Sequence, residues 1–597
     1  MRFFNNKDSL WGIGTTLFIT SSLLIAAEGS KGADTFDYIV VSSGPGGGLL
    51  AVNLARAGYK TLLLEAGQDN SADVRTQPLA LTGAPVPPEC SWSFWVRHYD
   101  DDEQTKRYQR LTWRLPNGDI TPAPLVNAAF SLLPSERDWN GIANLTGHAS
   151  WSAPRMRDIF TRIEKNLYLP PETPGHGFNG YLQLNQGDGS VHLNSPQSSA
   201  IFKSLAAAAG QNPDDLEKLL NMDPNQLSLD RDQSIGLSGG AFHANATWAR
   251  YTPRDRILET LRAVNKYGRK KYLLTLRLNS YASKVLFDQS KNTLGPRAIG
   301  IKYLKGKNIY QGDLFYNASS VPKTKQVFTR KEVIISGRTF STPQLLLLSG
   351  ISPAAKLEAL NITTVVDLPG VGRNIQDHNK IATIGLAAQN INLNTNPSAH
   401  TARRTILTTP STSKAKPSTP NQSFTETPNT WGIYTVHMHG SNRARYLKLR
   451  SADPTALPEI NFRHFSDEGA DRDIAAIKES VHFYRRVYNN VAAPVGPVQA
   501  IWSICAGNIT ATGDCSDSDS DEQFIRDNNF GHHATSTCSI GADSDPNAVL
   551  DAKFRVRGVT GLRVVDASAF PHAPGAFPVV PVYMLREKAS MDILSMK

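Results

Sequence analysis

The sequence predicts an α/β chain: a Rossmann-like, dinucleotide-binding domain with a second, sheet-rich domain. Three observations predict it. Phe36 to Gly67 runs as an apolar strand, a glycine-rich turn, an apolar-faced helix and a second apolar strand. Lys331 to Gly350 repeats the order strand then helix. Tyr434 to Phe465, remote from both, alternates as sheet. At 597 residues and 40% hydrophobic composition, the chain carries enough apolar material for two domains with large cores.

Each element has its own reason. Tyr38 to Val41 is an apolar strand, Gly47 to Ala57 the helix, and Lys60 to Leu64 the next strand, ending on Glu65. Amides at the helix start face the turn, and the helix dipole favours an anion there. Glu65 lies 18 residues past Gly47, where an acid accepts hydrogen bonds from an adenosine ribose. One letter departs from G-x-G-x-x-G: Ser42 stands first, with Gly44 and Gly47 in the other two places. A serine there is strained unless its backbone angles are ordinary. Further on, Val333 to Ile335 reads as a buried strand. Thr342 reads as a cap with Pro343 in the first helical turn, Gln344 to Leu348 as the helix body and Gly350 as its end. Asp471 to Val487 has apolar residues at Ile474, Ile477, Val481 and Tyr484, which is helical spacing. Leu562 to Val565 is a strand, and a terminal helix starts near Val582. Pro397 to Pro428, rich in Ser, Thr, Pro and Lys, reads as a long surface loop, and Cys515 to Glu522 as an acidic loop. A binding crevice is expected where the two layers meet.

The net charge of +10 is scattered, with its densest cluster at Lys266, Arg269, Lys270 and Lys271. No basic stripe interleaved with aromatics stands out, so no nucleic-acid partner is expected. Met1 to Ala27 has a basic start at Arg2 and Lys7, then an apolar run ending on small residues, the pattern of a cleaved secretory signal, with an uncleaved membrane anchor as the rival reading that Gly12, Gly14 and the Thr and Ser residues in the run argue against. After cleavage no stable membrane insertion is expected, and the localisation read from the sequence is the secretory pathway, extracellular or in the cell wall. Glycosylation sequons at Asn144, Asn245, Asn317, Asn361, Asn421 and Asn508 agree with that. Four cysteines are too few for a disulfide scaffold; Cys505 and Cys515 bracket a short polar loop and are candidates to pair, whereas Cys90 and Cys538 have no evident mates.

Five motifs in order resemble the glucose–methanol–choline (GMC) flavin oxidoreductases, most strongly a fungal group of secreted, patulin synthase-like dehydrogenases. They are Phe36 to Gly67, Ser336 to Pro353 (SGRTFSTPQLLLLSGISP), Asp367 to His378 (DLPGVGRNIQDH), Gly531 to Gly541 (GHHATSTCSIG) and Phe554 to Pro571 (FRVRGVTGLRVVDASAFP). The resemblance implies a GMC-type, FAD-binding Rossmann-like domain in three parts, residues 34–165, 241–378 and 531–597. It also implies a cap segment at 166–240, a substrate-binding domain at 379–530 and a signal peptide at 1–27. Flavin adenine dinucleotide (FAD) is the implied cofactor, held by Ser43, Gly44, Gly47, Glu65, Ala66, Asn127, Ala128, Ala282, Asp566, Ala567, Phe577 and Pro578; no metal is implied. Three departures stand out: Ser42, Arg338 in place of a small residue, and Thr121–Pro122 where relatives carry two glycines before the equivalent of Asn127. Glycines in such loops let amides reach phosphate oxygens.

Oxidising an alcohol requires a base for the hydroxyl proton while hydride leaves the carbon, and imidazole titrates near the working pH. By resemblance the base is His533, with His532 a hydrogen-bonding neighbour. The second proton-handling residue of the family falls at Phe577, which can neither donate nor accept a proton. His572 reads as a surface-loop histidine, Asp377 and His378 as a structural loop, and Cys538 as a buried small apolar residue. The expected function is FAD-dependent oxidation of the CH–OH group of a small apolar alcohol or lactol, with oxygen or a quinone as electron acceptor, in fungal secondary metabolism. Two alternatives stay open on the altered phosphate loops: a non-redox cyclase or dehydratase on the same scaffold, and a pseudoenzyme or incomplete gene product with impaired FAD binding.

Overall fold

The molecule is built around a seven-stranded sheet assembled from distant parts of the chain. The computed structural model describes residues 34–69, 92–108, 128–290, 295–391, 427–502 and 505–596. Its strands are β1 (Thr35–Val41), β2 (Thr61–Leu64), β3 (Leu274–Arg277), β4 (Ser280–Asp288), β5 (Arg297–Lys305) and β6 (Lys323–Ile335), in the spatial order β3-β2-β1-β6-β5-β4. A seventh strand, Leu562–Val564, pairs with the end of β6. The pairs β1–β2, β2–β3, β1–β6 and β6 with Leu562–Val564 are parallel, whereas β5 joins β6 and β4 antiparallel. Strands buried on both faces read as continuous apolar runs, as Ile39, Val40, Val41 and Leu62 to Leu64 do.

The parallel strands end at one edge, and their loops knit together there. Ser336 N donates to Val41 O at 3.0 Å, and Val565 N donates to Ile335 O at 2.9 Å. Ser336 Oγ donates to Val565 O at 2.8 Å. Helix α1 (Gly47–Arg56) begins against this knot. A Cβ on Gly46 would stand 2.1 Å from Val565 O, and one on Gly47 2.2 Å from Ser42 O, so both glycines are dictated by close approach. This is the switch-point edge at which open parallel sheets bind ligands.

Helix α2 (Arg338–Leu348) starts five residues earlier than the sequence predicts. Pro343 is therefore inside the helix, not in its first turn. Its missing amide leaves the Thr339 carbonyl without an intrahelical partner. The terminal helix starts at Val579, directly after Pro578, and packs on α1 through Asn53 Nδ2, which donates to Glu587 Oε2 at 3.0 Å. The acidic stretch expected as a loop instead opens a helix, Ser518–Asn528, capped by Asp517. Acids in a first turn meet the positive helix end, so the charge run that reads as a loop is a helix start.

A second sheet pairs Asn379–Leu386 antiparallel with Thr430–His437 and Gln499–Trp502. The helix Ala470–Asn489 lies on it, and Tyr488 OH donates to Thr383 O at 3.0 Å and Trp431 O at 2.9 Å. The segment expected to be sheet thus supplies three short strands, Thr430–His437, Tyr446–Lys448 and Glu459–Asn461. Cys505 and Cys515 form a disulfide. Cys538 is a free, buried thiol whose pKa burial pushes up. The Thr121–Pro122 departure, Cys90 and nearly all of the Pro397 to Pro428 loop lie outside the described residues. Among the described residues no helix is long and apolar enough to cross a membrane.

Candidate active site

A cavity of about 900 Å³ opens at the switch-point edge, lined among others by Ser43, Gly44, Glu65, Ala66, Ala282 and Arg338. Glu65 is fixed by its own chain. Its Oε2 accepts from Ser43 N and Ser43 Oγ, both at 2.7 Å, and its Oε1 accepts from Gly67 N at 2.8 Å. One lone-pair site on Oε1 remains for a ribose hydroxyl. The Gly44 amide lies 3.5 Å from Ser42 Oγ, at the limit of a hydrogen bond, which leaves it open to an anion. The Arg338 Nε stands 3.5 Å from the point where a Gly44 Cβ would be. An amide, a helix N-terminus and a guanidinium on one cavity wall suit a diphosphate. The nucleotide end therefore fits FAD, with Arg338 adding a cation where the resemblance implied a small residue. Ser42 and Arg338 both hold positive φ, 80° and 73°, so the two non-glycine departures sit in the left-handed region.

Asp566 is spent on the protein. Its Oδ2 accepts from Arg338 N at 2.8 Å and Thr342 Oγ1 at 2.6 Å, and its Oδ1 accepts from Ser568 N at 2.8 Å and Ser568 Oγ at 2.5 Å. Four donors fill its lone pairs, so its carboxylate ties α2 to the turn at Ala567–Ala569 and any cofactor contact there is through backbone.

The second centre forms where residues 376–380 run antiparallel to 530–535. Gln376 pairs with Thr535, and Lys380 with Phe530, through backbone hydrogen bonds of 2.7–3.1 Å. Between those two bridges lie Asp377, His378, His532 and His533. Asp377 Oδ1 accepts from the amides of His378 and His533, both at 2.7 Å. Gly531 permits this, because a Cβ there would stand 2.3 Å from Asp377 Oδ2. His378 Nδ1 lies 2.9 Å from His533 Nδ1, and His378 Nε2 lies 3.0 Å from Pro574 O. Lys380 Nζ lies 2.5 Å from His532 Nε2 and 3.2 Å from His533 Nε2.

These contacts assign the tautomers. Pro574 O only accepts, so His378 Nε2 carries a hydrogen and its Nδ1 is bare. His533 Nδ1 then donates to it, which leaves His533 Nε2 as the bare nitrogen, facing Lys380. Burial, then Lys380, pushes His378 down to about 3. Burial, then Lys380, His532 and His378, pushes His533 well below its ordinary value. Burial likewise pushes Lys380 well down, with Asp377 opposing. Burial raises Asp377 to about 6, with Arg445 the largest opposing charge. The Phe577 ring packs 5.2 Å from the His533 ring at 80° and stacks on Phe130, which in turn meets Phe242 at 4.8 Å.

The structure thus gathers Ser43, Gly44, Glu65, Ala66 and Ala282 at one cavity, and His533 with Phe577 at the other centre. Gly47 and Pro578 are buried helix-start residues, and Asn127 lies outside the described residues. Ala128 opens the described segment that carries Phe130. One reading is corrected. Asp377 and His378, read as a structural loop, hold His533, because neighbouring residues in the distorted strand pair present backbone and ring to the same partner. Lys380 was missed altogether; its sequence signal is a lysine beside the apolar residues Ile381 and Ala382 at a strand start. His572 is exposed, as read.

The oxygen-dependent choline dehydrogenase of Pseudomonas fluorescens is 26% identical over 94% of this chain and 94% of its own length. Pyranose dehydrogenase 3 of Leucoagaricus meleagris is 24% identical over 94% and 92%. Among solved structures, a formate oxidase superposes with a TM-score of 0.71 at 17% identity, covering 94% of this chain and 99% of that one. Pyridoxine 4-oxidase from Mesorbium loti gives 0.67 at 18%, with the same coverage. Two family models, each described as GMC oxidoreductase, match residues 264–380 and 441–585, and over those two regions the chain is similar to the GMC oxidoreductase family.

Proposed function

We propose that this protein is an FAD-dependent oxidoreductase acting on the CH–OH group of a small apolar alcohol or lactol. The observation that carries it is the proton-handling cluster of His533, His378 and Lys380 set against the apolar wall of Phe577, Phe130 and Phe242. FAD, when bound, would supply the hydride acceptor. Ser43, Gly44, Glu65 and Arg338 would hold its nucleotide end, and the His533–Lys380 pair takes up the hydroxyl proton. The apolar wall excludes water and favours a substrate with little polarity beyond its hydroxyl. Oxygen or a quinone would serve as the electron acceptor.

The resemblance to secreted fungal dehydrogenases supports a place in the secretory pathway and in fungal secondary metabolism. The Cys505–Cys515 disulfide supports it too, since such bonds persist in oxidising compartments. So do the exposed sequon residues Asn144, Asn317, Asn361 and Asn508. Purified protein should be yellow, and its flavin band should bleach with substrate in the absence of oxygen. The His533→Ala variant should retain the colour and lose the bleaching. Full-rate bleaching in that variant removes His533 from the reaction, and turnover by colourless protein favours the cyclase or dehydratase reading.

A further inference from the structure

We propose that the end of the main sheet opposite the cofactor cavity docks an acidic polysaccharide, through cations gathered on the hairpin of residues 263–273 and on the strand ends beside it. The proposal goes beyond the oxidoreductase reading and does not depend on it; the choice of a polysaccharide among polyanions rests on the secretory reading. Residues 260–287 carry seven Lys or Arg and no Asp or Glu. The structure folds the centre of that run into a hairpin between the helix Pro253–Arg262 and β3. Val264 pairs with Lys270 in an antiparallel bridge, Lys271 N donates to Ala263 O at 2.9 Å, and Asn265 N donates to Arg269 O at 2.8 Å. The Asn265 side chain closes the tip, its Oδ1 accepting from Tyr267 N at 2.9 Å and Arg269 N at 3.2 Å. Residues 264–271 are all exposed. Lys266, Arg269, Lys270 and Lys271 are thus presented on a turn that is already ordered, which lowers the entropy cost of binding.

The fold adds cations from two distant segments. Thr61 N donates to Leu273 O at 2.9 Å, which sets the base of the hairpin beside Lys60. Lys60 Nζ donates to Thr35 O at 2.8 Å and lies 4.7 Å from the Phe36 ring centroid. Between Phe36 and Tyr38 the register of β1 against β6 shifts, so that Arg330 and Lys331 together oppose Asp37. Both are exposed, and Lys331 Nζ lies 5.3 Å from the Tyr59 ring centroid. The acids nearby are already engaged: Asp37 accepts from Lys60 N at 2.8 Å and stands 3.5 Å from Arg330, Glu332 pairs with Arg563, and Glu259 pairs with Arg256. Among the described residues no carboxylate pairs with Lys266, Arg269, Lys270 or Lys271. The result is a positive field at one end of the sheet that the protein does not neutralise. Ser43, Gly44 and Glu65 line the cofactor cavity at the other ends of β1 and β2, so a polymer held here leaves that cavity open. The cations come partly from a free-standing turn and partly from side chains laid on the sheet end. A flexible chain of carboxylates can follow that uneven surface. A flat bilayer meets only the turn, where Val264 and Tyr267 are the apolar residues it could take up.

The test is equilibrium binding of the full chain to polygalacturonate, with dextran as the neutral control and phosphatidylserine vesicles and double-stranded DNA as competing polyanions. Wild type should bind polygalacturonate and not dextran, and raising salt from about 50 to about 200 mM should weaken that binding at least about tenfold. Replacing Lys266, Arg269, Lys270 and Lys271 together with Gln should also weaken it at least about tenfold, the least expected when four cations leave a charged interface. Replacing Lys305, Lys307, Lys323 and Lys325 with Gln removes the same charge from another exposed group and should leave binding unchanged. Both variants should keep the wild-type melting temperature. Bound polygalacturonate should shield the Lys266, Lys270 and Lys271 amines from acetylation, read by mass spectrometry. No binding by wild type, no loss in the hairpin variant, equal loss in both variants, or tighter binding to vesicles or DNA than to polygalacturonate at equal charge overturns the proposal. Binding is read without turnover, so a protein that oxidises no alcohol refutes the oxidoreductase reading and leaves this one intact.

Discussion

The Thr537 hydroxyl donates to the Thr339 carbonyl at 2.6 Å, the carbonyl that Pro343 leaves without an amide. The Thr339 hydroxyl in turn donates to Ala534 O at 2.6 Å. These two bonds fasten the segment after His533 to the first turns of α2. The helix defect created by the proline is thus a docking point for the loop that carries the base, and the nucleotide cavity and the proton-handling centre share one support.

Replacing Thr537 with Val keeps the shape and removes the donor. The buried Thr339 carbonyl is then unpaired, which costs about 1–3 kcal/mol. Denaturant unfolding should show that loss, with a parallel fall in flavin-reduction rate. An unchanged midpoint would show that water replaces the hydroxyl.

Arg338 and Ser42 hold positive φ, where L residues other than glycine lose about 1–2 kcal/mol. Ser42→Gly should stabilise the protein by roughly 1 kcal/mol after the entropy of the added glycine is offset. Arg338→Gly relieves similar strain but removes a charge-assisted contact to the diphosphate, so FAD should bind about 10- to 100-fold more weakly. Flavin-fluorescence titration of the deflavinated protein measures this. Tighter binding in Arg338→Gly would mean that the guanidinium obstructs the cofactor.

Asp377 titrates near 6, above the ordinary aspartate value, because of burial. The native state then holds a proton that the unfolded chain has released between about pH 4 and 6. Stability attributable to this group is full below that window, falls through it and is flat above. Asp377→Asn removes the titration, so its stability relative to wild type should climb from pH 4 to 6. Parallel pH curves for the two proteins would contradict this.

The Cys505–Cys515 bond closes a loop of sequence separation 10. Chain entropy assigns such a loop about 2–3 kcal/mol. The double substitution to Ser should lower the chemical-denaturation midpoint accordingly and leave FAD affinity unchanged, since the loop is remote in sequence from every cofactor residue. A loss of FAD affinity would show that the loop shapes the cavity.

The sheet core was legible because strands buried on both faces are bounded apolar runs, and Tyr38 to Val41 and Lys60 to Leu64 stand out without any tertiary knowledge. The glycine turn and Glu65 were legible for the same reason: phosphate and ribose recognition happens within one strand–helix–strand unit, at fixed spacing. Tertiary structure alone decided the rest. The true start of α2 depended on Asp566, more than two hundred residues away, whose carboxylate accepts the Arg338 amide and overrides the local signal of Thr342–Pro343. The roles of Asp377, His378 and Lys380 depended on a distorted pairing between two segments about 150 residues apart, which no local pattern encodes. Sequence determines what is set by neighbours along the chain; the proton-handling centre is set by hydrogen bonds and burial between segments that meet only when the chain has folded.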